Sequence, residues 1–211
     1  LFFLNQKTAY ELSLGLVGSE MCIRDRGMGE PLANIDAVSD AVSRITNIQW
    51  GLGIPARRIT ISTAGFTKIL KALAGLGVNV AISLNATTNE QRDVLMPMVN
   101  KLSPLSELLE ACRTYPLNRG KRLTFEYVLL SGENDSSEDA QRLIQLLQGI
   151  RCKINLIPFN EFPGSSFCRP SDEATKKFQN TLRHHGLDVF LRESRGRDIL
   201  GACGQLGKLP A

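Results

Sequence analysis

Strand-like and helix-like segments alternate along this chain from Gly27 onward, and that alternation limits the possible folds more than any other feature. Five short apolar or β-branched runs predict strands over residues 58–62, 78–84, 123–130, 153–158 and 187–192. Apolar spacing, capping serines and stopping glycines predict helices over residues 35–48, 67–76, 89–95, 104–115, 137–147 and 171–184. Strands that alternate with helices form right-handed βαβ units, so the sequence predicts an α/β fold on a parallel sheet.

The first 26 residues do not share this pattern. A buried strand should precede the glycine turn at Gly27, yet Ile23-Arg24-Asp25-Arg26 stands there. Three charges in these four residues are costly to place inside a parallel sheet that is covered on both faces. The stretch GLVGSEMCIRDR is also similar to translated sequencing-adapter sequence. We therefore expect residues 1–26 to be non-native and residues 27–211 to form the domain.

Composition narrows the class of protein without identifying an activity. The 211 residues are 43% hydrophobic and 22% charged, and no apolar stretch reaches the roughly 18 residues of a membrane helix, so no membrane partner is expected. The five cysteines form no CxxC pair, which argues against a zinc ribbon or a disulfide framework and favours a cytoplasmic protein with reduced thiols. A net charge of +4 permits nucleic-acid binding without requiring it.

The predicted strands deliver polar or glycine-rich groups at their C-terminal ends, where parallel α/β folds place their sites. They are Gly29-Glu30, Ser62-Thr63, Ser83-Leu84-Asn85, Asn155 with Asn160, and Arg192. Gly29 permits close approach of a ligand to the backbone, and the carboxylate of Glu30 suits an ammonium group or a ribose hydroxyl. Each group also has a structural interpretation as a glycine turn, an N-cap, a turn-forming asparagine or a packed loop. Glu126, inside the third strand-like run, can face either solvent or an interior.

Cys203 is the residue best suited to covalent chemistry. It lies between small residues in Gly201-Ala202-Cys203-Gly204, with Arg192, Arg195 and Arg197 shortly before it. A small-residue loop leaves a thiol accessible, and neighbouring cations favour the reactive thiolate. The alternative is an ordinary buried cysteine, because free cysteine is among the most frequently buried residue types.

Six segments in a fixed order carry a specific resemblance: GMGEPLAN, RRITISTAG, AISLNATTNEQRDVLMP, FEYVLLSGENDS, CKINLIPFNEFPG and RGRDILGACGQL. Together they resemble the radical S-adenosylmethionine (SAM) RNA methyltransferases that modify carbon 2 of adenine, the RlmN family, over residues 27–211. The resemblance implies an α/β fold that is the C-terminal part of a radical SAM partial (β/α)6 barrel. It also implies truncation before the cluster-binding loop, the CxxxCxxC segment that holds a [4Fe-4S] cluster in the family.

The resemblance assigns roles to individual residues. Gly29 and Glu30 would hold the methionine end of SAM, and the rest of the pocket would come from Ser62, Ser83, Leu84, Asn85 and Asn160. Cys203 matches the cysteine whose thiol receives a methyl group from one SAM molecule. A second SAM, cleaved reductively to a 5′-deoxyadenosyl radical, takes a hydrogen from that methyl group. The methylene radical adds to carbon 2 of adenine, and an upstream cysteine resolves the adduct through a disulfide with Cys203.

Partners follow from the same resemblance: 23S rRNA and tRNA as substrates, and flavodoxin or ferredoxin as electron donor. The 211 residues contain no CxxxCxxC motif, so no metal ligand is assigned and the polypeptide alone is expected to be an inactive, poorly soluble fragment. Two other functions stay open: a non-catalytic nucleotide- or RNA-binding α/β module, and a barrel enzyme acting on phosphorylated metabolites. Serine substitution of Cys203 separates them, because only the methyltransferase depends on that thiol.

Overall fold

The computed structural model describes residues 29–162 and 164–192 of the chain. Its strands are β1 (Thr60–Thr63), β2 (Asn79–Ser83), β3 (Leu123–Leu129), β4 (Cys152–Pro158) and β5 (Val189–Leu191). Its α-helices are α1 (Ile35–Thr46), α2 (Thr67–Leu70), α3 (Asn89–Leu95), α4 (Pro97–Leu102), α5 (Leu105–Arg113), α6 (Ser137–Leu146) and α7 (Asp172–His184). Short 3-10 turns cover Pro31–Asn34, Ala56–Arg58 and Lys71–Leu76. The predictions for residues 1–26 and for Cys203 lie outside the described residues.

The described strands form one sheet in the order β1-β2-β3-β4-β5, and every neighbouring pair runs parallel. Each strand therefore pairs with the next strand along the chain, and helical segments connect them. This arrangement confirms the predicted α/β fold on a parallel sheet. All five predicted strands are present, although the last is shorter than predicted.

The register divides the sheet into two chemically different faces. Most residues aligned across one face are apolar and belong to the hydrophobic core, among them Ile61, Val80, Ile82, Phe125, Ile154 and Val189. Helices α1, α2, α5, α6 and α7 supply core side chains that include Val42, Leu70, Leu108, Leu143 and Phe178. Because successive side chains of a strand point to opposite faces, the residues between these apolar positions lie on the other face.

The turn after β1 brings the backbone close to α5. Gly65 has φ +96°, and a Cβ at this position would lie 2.6 Å from Cδ1 of Leu108. A larger residue would adopt a strained backbone conformation and collide with a core side chain. The turn therefore requires glycine, which lets the segment after β1 pack tightly against the core.

Two helical segments differ from the sequence prediction. The helix predicted over 67–76 is α2 followed by a 3-10 turn, and the turn ends at Gly77 in the left-handed conformation. The sequence does not predict α4, because its 6 residues are too few for helical periodicity to stand out. Within the described part of the chain, no helix combines the length and apolar character needed to cross a membrane.

Candidate functional site

Polar side chains form a row on the face of the sheet opposite the core. Ser83 of β2 aligns with Glu126 of β3, which aligns with Asn155 of β4. Ser62 of β1 lies on the same face. Ser62, Ser83 and Asn155 are half-buried, whereas only 4% of Glu126 is exposed. We call these four residues the polar face; it contains two of the predicted site residues, Ser62 and Ser83, and it places Glu126 in an interior.

Glu30 lies at the carboxyl end of β1, where its carboxylate accepts three hydrogen bonds from the protein. Oε1 accepts from the Leu32 N–H at 3.0 Å and from the Thr63 hydroxyl at 2.5 Å. Oε2 accepts from the Ala64 N–H at 2.7 Å. A carboxylate offers about four acceptor positions, so Oε2 retains one for a cationic ligand.

Gly29, the residue before Glu30, is exposed. Its φ is +123°, a conformation that favours glycine, and apart from its chain neighbours no atom of the described residues lies within 4 Å of the Cβ that another residue would carry. A half-buried carboxylate that three protein donors hold in place suits the ammonium group of an amino acid. The residues present therefore fit the methionine end of SAM.

Asn85 connects the ends of β2 and β3. It adopts a positive φ of 55°, and its Oδ1 accepts a hydrogen bond from the Val128 N–H at 2.9 Å. Its Nδ2 donates to the sulfur of Met96 at 3.5 Å. In this conformation the side chain of Asn85 stabilises the turn after β2. Contact between Asn85 and SAM stays a prediction.

Asn134 holds this turn in place and was not singled out by sequence reasoning. It is fully buried, and its Nδ2 donates to the carbonyls of Asn85 and Val128, both at 2.8 Å. Its Oδ1 accepts from the Leu130 N–H at 2.8 Å, and its own carbonyl accepts from the Tyr127 hydroxyl at 2.9 Å. One buried amide thereby joins the carboxyl ends of β2 and β3.

Leu84 and Asn160 complete the predicted residues that the structure describes. The Leu84 side chain is buried in the core, so only its backbone can contact a ligand, and its N–H donates to the Glu126 carbonyl at 2.9 Å. Asn160 follows β4 and is 4% exposed. The carboxyl ends of parallel strands meet at one edge of a sheet. The structure therefore brings the described predictions to the carboxyl edge of the sheet: Gly29, Glu30, Ser62, Ser83, Leu84, Asn85 and Asn160.

Asp139, only 2% exposed, connects the loop after β2 to the start of α6. Its Oδ1 accepts from Thr87 Oγ1 at 2.8 Å, Gln91 Nε2 at 2.7 Å and Arg142 Nη2 at 2.5 Å. Its Oδ2 accepts from the Ser136 hydroxyl at 2.7 Å. Burial acts to raise the pKa of Asp139, but the hydrogen bonds from Ser136, Gln91, Thr87 and Arg142 outweigh burial and hold that pKa below its ordinary value.

We predict that Asp139→Asn reduces the loss of folding stability at acidic pH. A carboxylate whose pKa is lower in the folded state stabilises the protein above its unfolded pKa of about 3.9, and that contribution is lost as pH falls through the folded value. The unaltered chain should therefore lose stability below about pH 4, and the variant should lose less. Urea denaturation between about pH 5 and pH 3 measures this difference. Glu138→Gln, an exposed change on the same helix, is the control, and parallel pH curves for all three proteins would contradict the prediction.

Three cysteines lie within the described residues, and all three are free: Cys112, Cys152 and Cys168. Burial raises the pKa of Cys112 to about 12 and that of Cys152 to about 11, so neither presents a thiolate at neutral pH. Among the residues that the structure describes, no group of three or more His, Cys, Asp or Glu side chains could hold a metal ion. These residues therefore do not fit an iron–sulfur cluster.

Comparisons with known sequences match most of the chain. The family model for the radical SAM superfamily matches residues 27–146. The dual-specificity RNA methyltransferase RlmN of Desulfosudis oleivorans is 50% identical over 184 residues, which cover 85% of this chain and 48% of the relative. The RlmN of Geobacter sulfurreducens is 51% identical over 187 residues, which cover 88% of this chain and 51% of the relative. The chain thus spans about half the length of these curated relatives.

Solved structures give the same result. A radical SAM methyltransferase from Sphaerobacter thermophilus superposes with a TM-score of 0.80 at 43% identity, over 85% of this chain and 52% of that one. A domain of pyruvate-formate lyase-activating enzyme from Bacteroides vulgatus shares the fold alone, with a TM-score of 0.58 at 15% identity over 79% of this chain and 96% of that one. The predicted fold class, part of a radical SAM α/β barrel, is confirmed. The chain therefore belongs to the radical SAM superfamily, and over most of its length it is similar to enzymes of the RlmN family.

Proposed function

We propose that this chain is the SAM-binding part of an enzyme that methylates carbon 2 of adenine in 23S rRNA and tRNA. The observation that carries the proposal is the half-buried carboxylate of Glu30, which three protein donors hold at the carboxyl edge of the sheet. RNA as the substrate class is supported by the relatives from D. oleivorans and G. sulfurreducens, which are named dual-specificity RNA methyltransferases.

Each described site residue has a defined part in this proposal. The Glu30 carboxylate binds the ammonium group of SAM, and Gly29 leaves room for the amino acid end. Further contacts come from residues at the same edge: Ser62, Ser83, the Leu84 backbone, Asn85 and Asn160. When bound, SAM supplies the methyl group and the radical chemistry that an unreactive adenine carbon requires. The residues of the chain bind and orient it.

Cys203 is proposed as the carrier of the methyl group, because the small residues around it in the sequence, Gly201-Ala202-Cys203-Gly204, suit a reactive thiol. The described residues offer no ligand set for a [4Fe-4S] cluster, and the 211 residues contain no CxxxCxxC motif. We therefore expect this polypeptide by itself to bind SAM without methylating RNA. Flavodoxin or ferredoxin as electron donor and a cytoplasmic location belong to the proposal for the complete enzyme, since RNA substrates and reduced thiols occur together in that compartment.

Glu30→Gln should weaken binding of S-adenosylhomocysteine to the 211-residue chain by about tenfold, because a hydrogen bond to a charged group is lost. S-adenosylhomocysteine keeps the amino acid end of SAM and cannot react. Isothermal titration calorimetry measures the dissociation constant. Glu133→Gln makes the same chemical change at an exposed position in the loop after β3, and should alter the dissociation constant by less than about twofold.

The deaminated analogue of S-adenosylhomocysteine separates a ligand contact from a folding effect. If Glu30 binds the ammonium group, Glu30→Gln should leave affinity for the deaminated analogue unchanged. Equal weakening for both ligands would contradict the role assigned to Glu30. RNA binding by a chain that does not bind S-adenosylhomocysteine at all would instead favour the non-catalytic RNA-binding module.

A further inference from the structure

Basic side chains collect at the amino edge of the sheet, opposite the edge that carries the proposed SAM site. Arg57 and Arg58 end the 3-10 turn that leads into β1, and Lys121 and Arg122 directly precede β3. The amino ends of parallel strands meet at one edge, so the two pairs lie on the same side of the molecule. This topology joins two basic pairs that are far apart in the sequence.

Hydrogen bonds through Asn79, the first residue of β2, connect the two pairs. Lys121 Nζ donates to Asn79 Oδ1 at 2.8 Å, and Asn79 Nδ2 donates to the Arg57 carbonyl at 2.7 Å. Arg122 forms an ion pair with Asp188. Arg57 and Arg58 are exposed, and among the described residues no carboxylate lies within ion-pairing distance of either guanidinium. Within the described part of the chain, two cations therefore remain available to a partner.

An exposed apolar loop lies on the same side. After α1 the chain turns back toward the start of β1, and three large side chains in this loop are mostly exposed: Ile48 by 88%, Trp50 by 61% and Leu52 by 66%. Their exposure does not come from a loosely held backbone. Asn47 Oδ1 accepts from the Gln49 N–H at 2.8 Å and from the Trp50 N–H at 3.0 Å. The Asn47 carbonyl accepts from the Gly53 N–H at 3.0 Å.

We call this region the amino-edge surface, and its members are Ile48, Trp50, Leu52, Arg57, Arg58, Lys121 and Arg122. Its chemistry combines exposed guanidinium groups with an exposed indole ring. Guanidinium groups bind phosphates with two parallel hydrogen bonds, and indole rings stack on unpaired bases. An acidic protein would use the cations but would gain little from an indole ring beside them. The combination favours RNA with unpaired bases.

We propose that the amino-edge surface binds RNA, as a contact separate from the carboxyl edge where the proposed SAM site lies. Arg57 and Arg58 bind backbone phosphates, and Trp50 stacks on an unpaired base. The inference rests on the proposed function in one respect, the choice of RNA as the substrate class. One RNA molecule would then contact the protein at two separate places, the amino edge and the carboxyl edge of the sheet.

Fluorescence anisotropy with a labelled RNA hairpin that has a single-stranded loop tests the phosphate contacts on the 211-residue chain. Arg57→Ala with Arg58→Ala should weaken binding about tenfold at about 0.1 M salt, and should reduce the slope of log affinity against log salt by about one to two. Lys176→Ala with Lys177→Ala removes the same charge from exposed positions on α7. This control should weaken RNA binding by less than about twofold, because it removes only long-range electrostatic attraction. Equal weakening by both pairs would show diffuse attraction and overturn the proposal.

Trp50→Leu tests the stacking contact, because it keeps an apolar side chain and removes the aromatic ring. It should weaken binding about tenfold and leave the salt slope unchanged. If Trp50→Leu left the affinity for the RNA hairpin unchanged, and the chain bound polyglutamate as tightly as the hairpin, the proposal would be overturned in favour of an acidic protein partner. Circular dichroism melts should be the same for all variants, since every changed side chain is exposed. Loss of S-adenosylhomocysteine binding with intact RNA binding would count against the proposed function alone.

Discussion

Replacing Arg92 with alanine should lower the free energy of unfolding by about 4 kcal/mol, because the change removes buried hydrogen bonds and leaves a cavity. Arg92 is fully buried within the described residues, although arginine is almost always at least partly exposed. Its Nη1 donates to the Ser103 carbonyl at 2.7 Å, and its Nη2 donates to the Ala64 carbonyl at 3.1 Å. Alanine would leave both carbonyls without these donors.

The loss should extend to the candidate site. Ala64 accepts from Arg92 through its carbonyl and donates through its N–H to Glu30, so one peptide segment links the buried guanidinium to the proposed SAM carboxylate. Burial lowers the pKa of Arg92 to about 10, which still leaves the side chain protonated at neutral pH. The guanidinium therefore acts as a charged structural donor under ordinary conditions.

Urea denaturation followed by circular dichroism measures the effect of Arg92→Ala. Arg92→Met retains most of the side-chain volume and should be less destabilising than alanine, since it removes the hydrogen bonds with a smaller cavity. Arg119→Ala, in an exposed loop before β3, is the matched control and should change stability by less than about 0.5 kcal/mol. A loss below about 1 kcal/mol for Arg92→Ala would show that the buried guanidinium contributes little.

Cys203→Ser should abolish carbon-2 methylation of adenine, with at least about a thousandfold loss of activity, in an enzyme that joins this chain to a CxxxCxxC cluster segment. A serine hydroxyl is a far weaker nucleophile than a thiolate and cannot take a methyl group from SAM at a comparable rate. Because carbon 2 of adenine is itself not nucleophilic, no direct polar transfer can replace the lost carrier. Mass spectrometry of nucleosides from treated RNA measures the product.

The exposed Cys168 provides the control for this experiment. Cys168→Ser makes the same chemical change within the described residues, and activity should stay within about twofold of the unaltered enzyme. Intact-protein mass spectrometry should also find an added methyl group on Cys203 in the unaltered enzyme. A Cys203→Ser enzyme that still methylates adenine would refute the carrier role and would leave the assignment of the SAM pocket in place.

The sheet could be predicted from sequence because its determinants are local. Each strand is a short apolar or β-branched run, and the helices between the strands require parallel pairing. Helix α4 could not be predicted, because it spans only 6 residues and begins at a proline, which occurs both in turns and at helix starts. The prediction was therefore strongest where a periodic pattern is long and weakest where it is short.

In the candidate site as well, some residues could be predicted from the sequence and others could not. Glu30, Ser62 and Ser83 could be predicted because side chains near the carboxyl ends of parallel strands share one edge of the sheet. Asn134 and Asp139 could not, because their roles depend on partners far away in the chain: Asn134 binds Asn85, and Asp139 binds Thr87. A buried asparagine and a buried aspartate in a loop and a first helical turn look like ordinary turn and capping residues.

The order of the strands has a consequence for synthesis. Each described strand after β1 pairs with the strand made just before it, so none of these strands must wait for a distant part of the polypeptide before it can join the sheet. A ribosome releases the chain from its amino end at about 5–20 residues per second, which is slow compared with the closure of a local βαβ unit. The growing polypeptide can therefore add these strands one at a time during translation, and a pause after β4 would leave the outer edge of β4 unpaired until β5 is made.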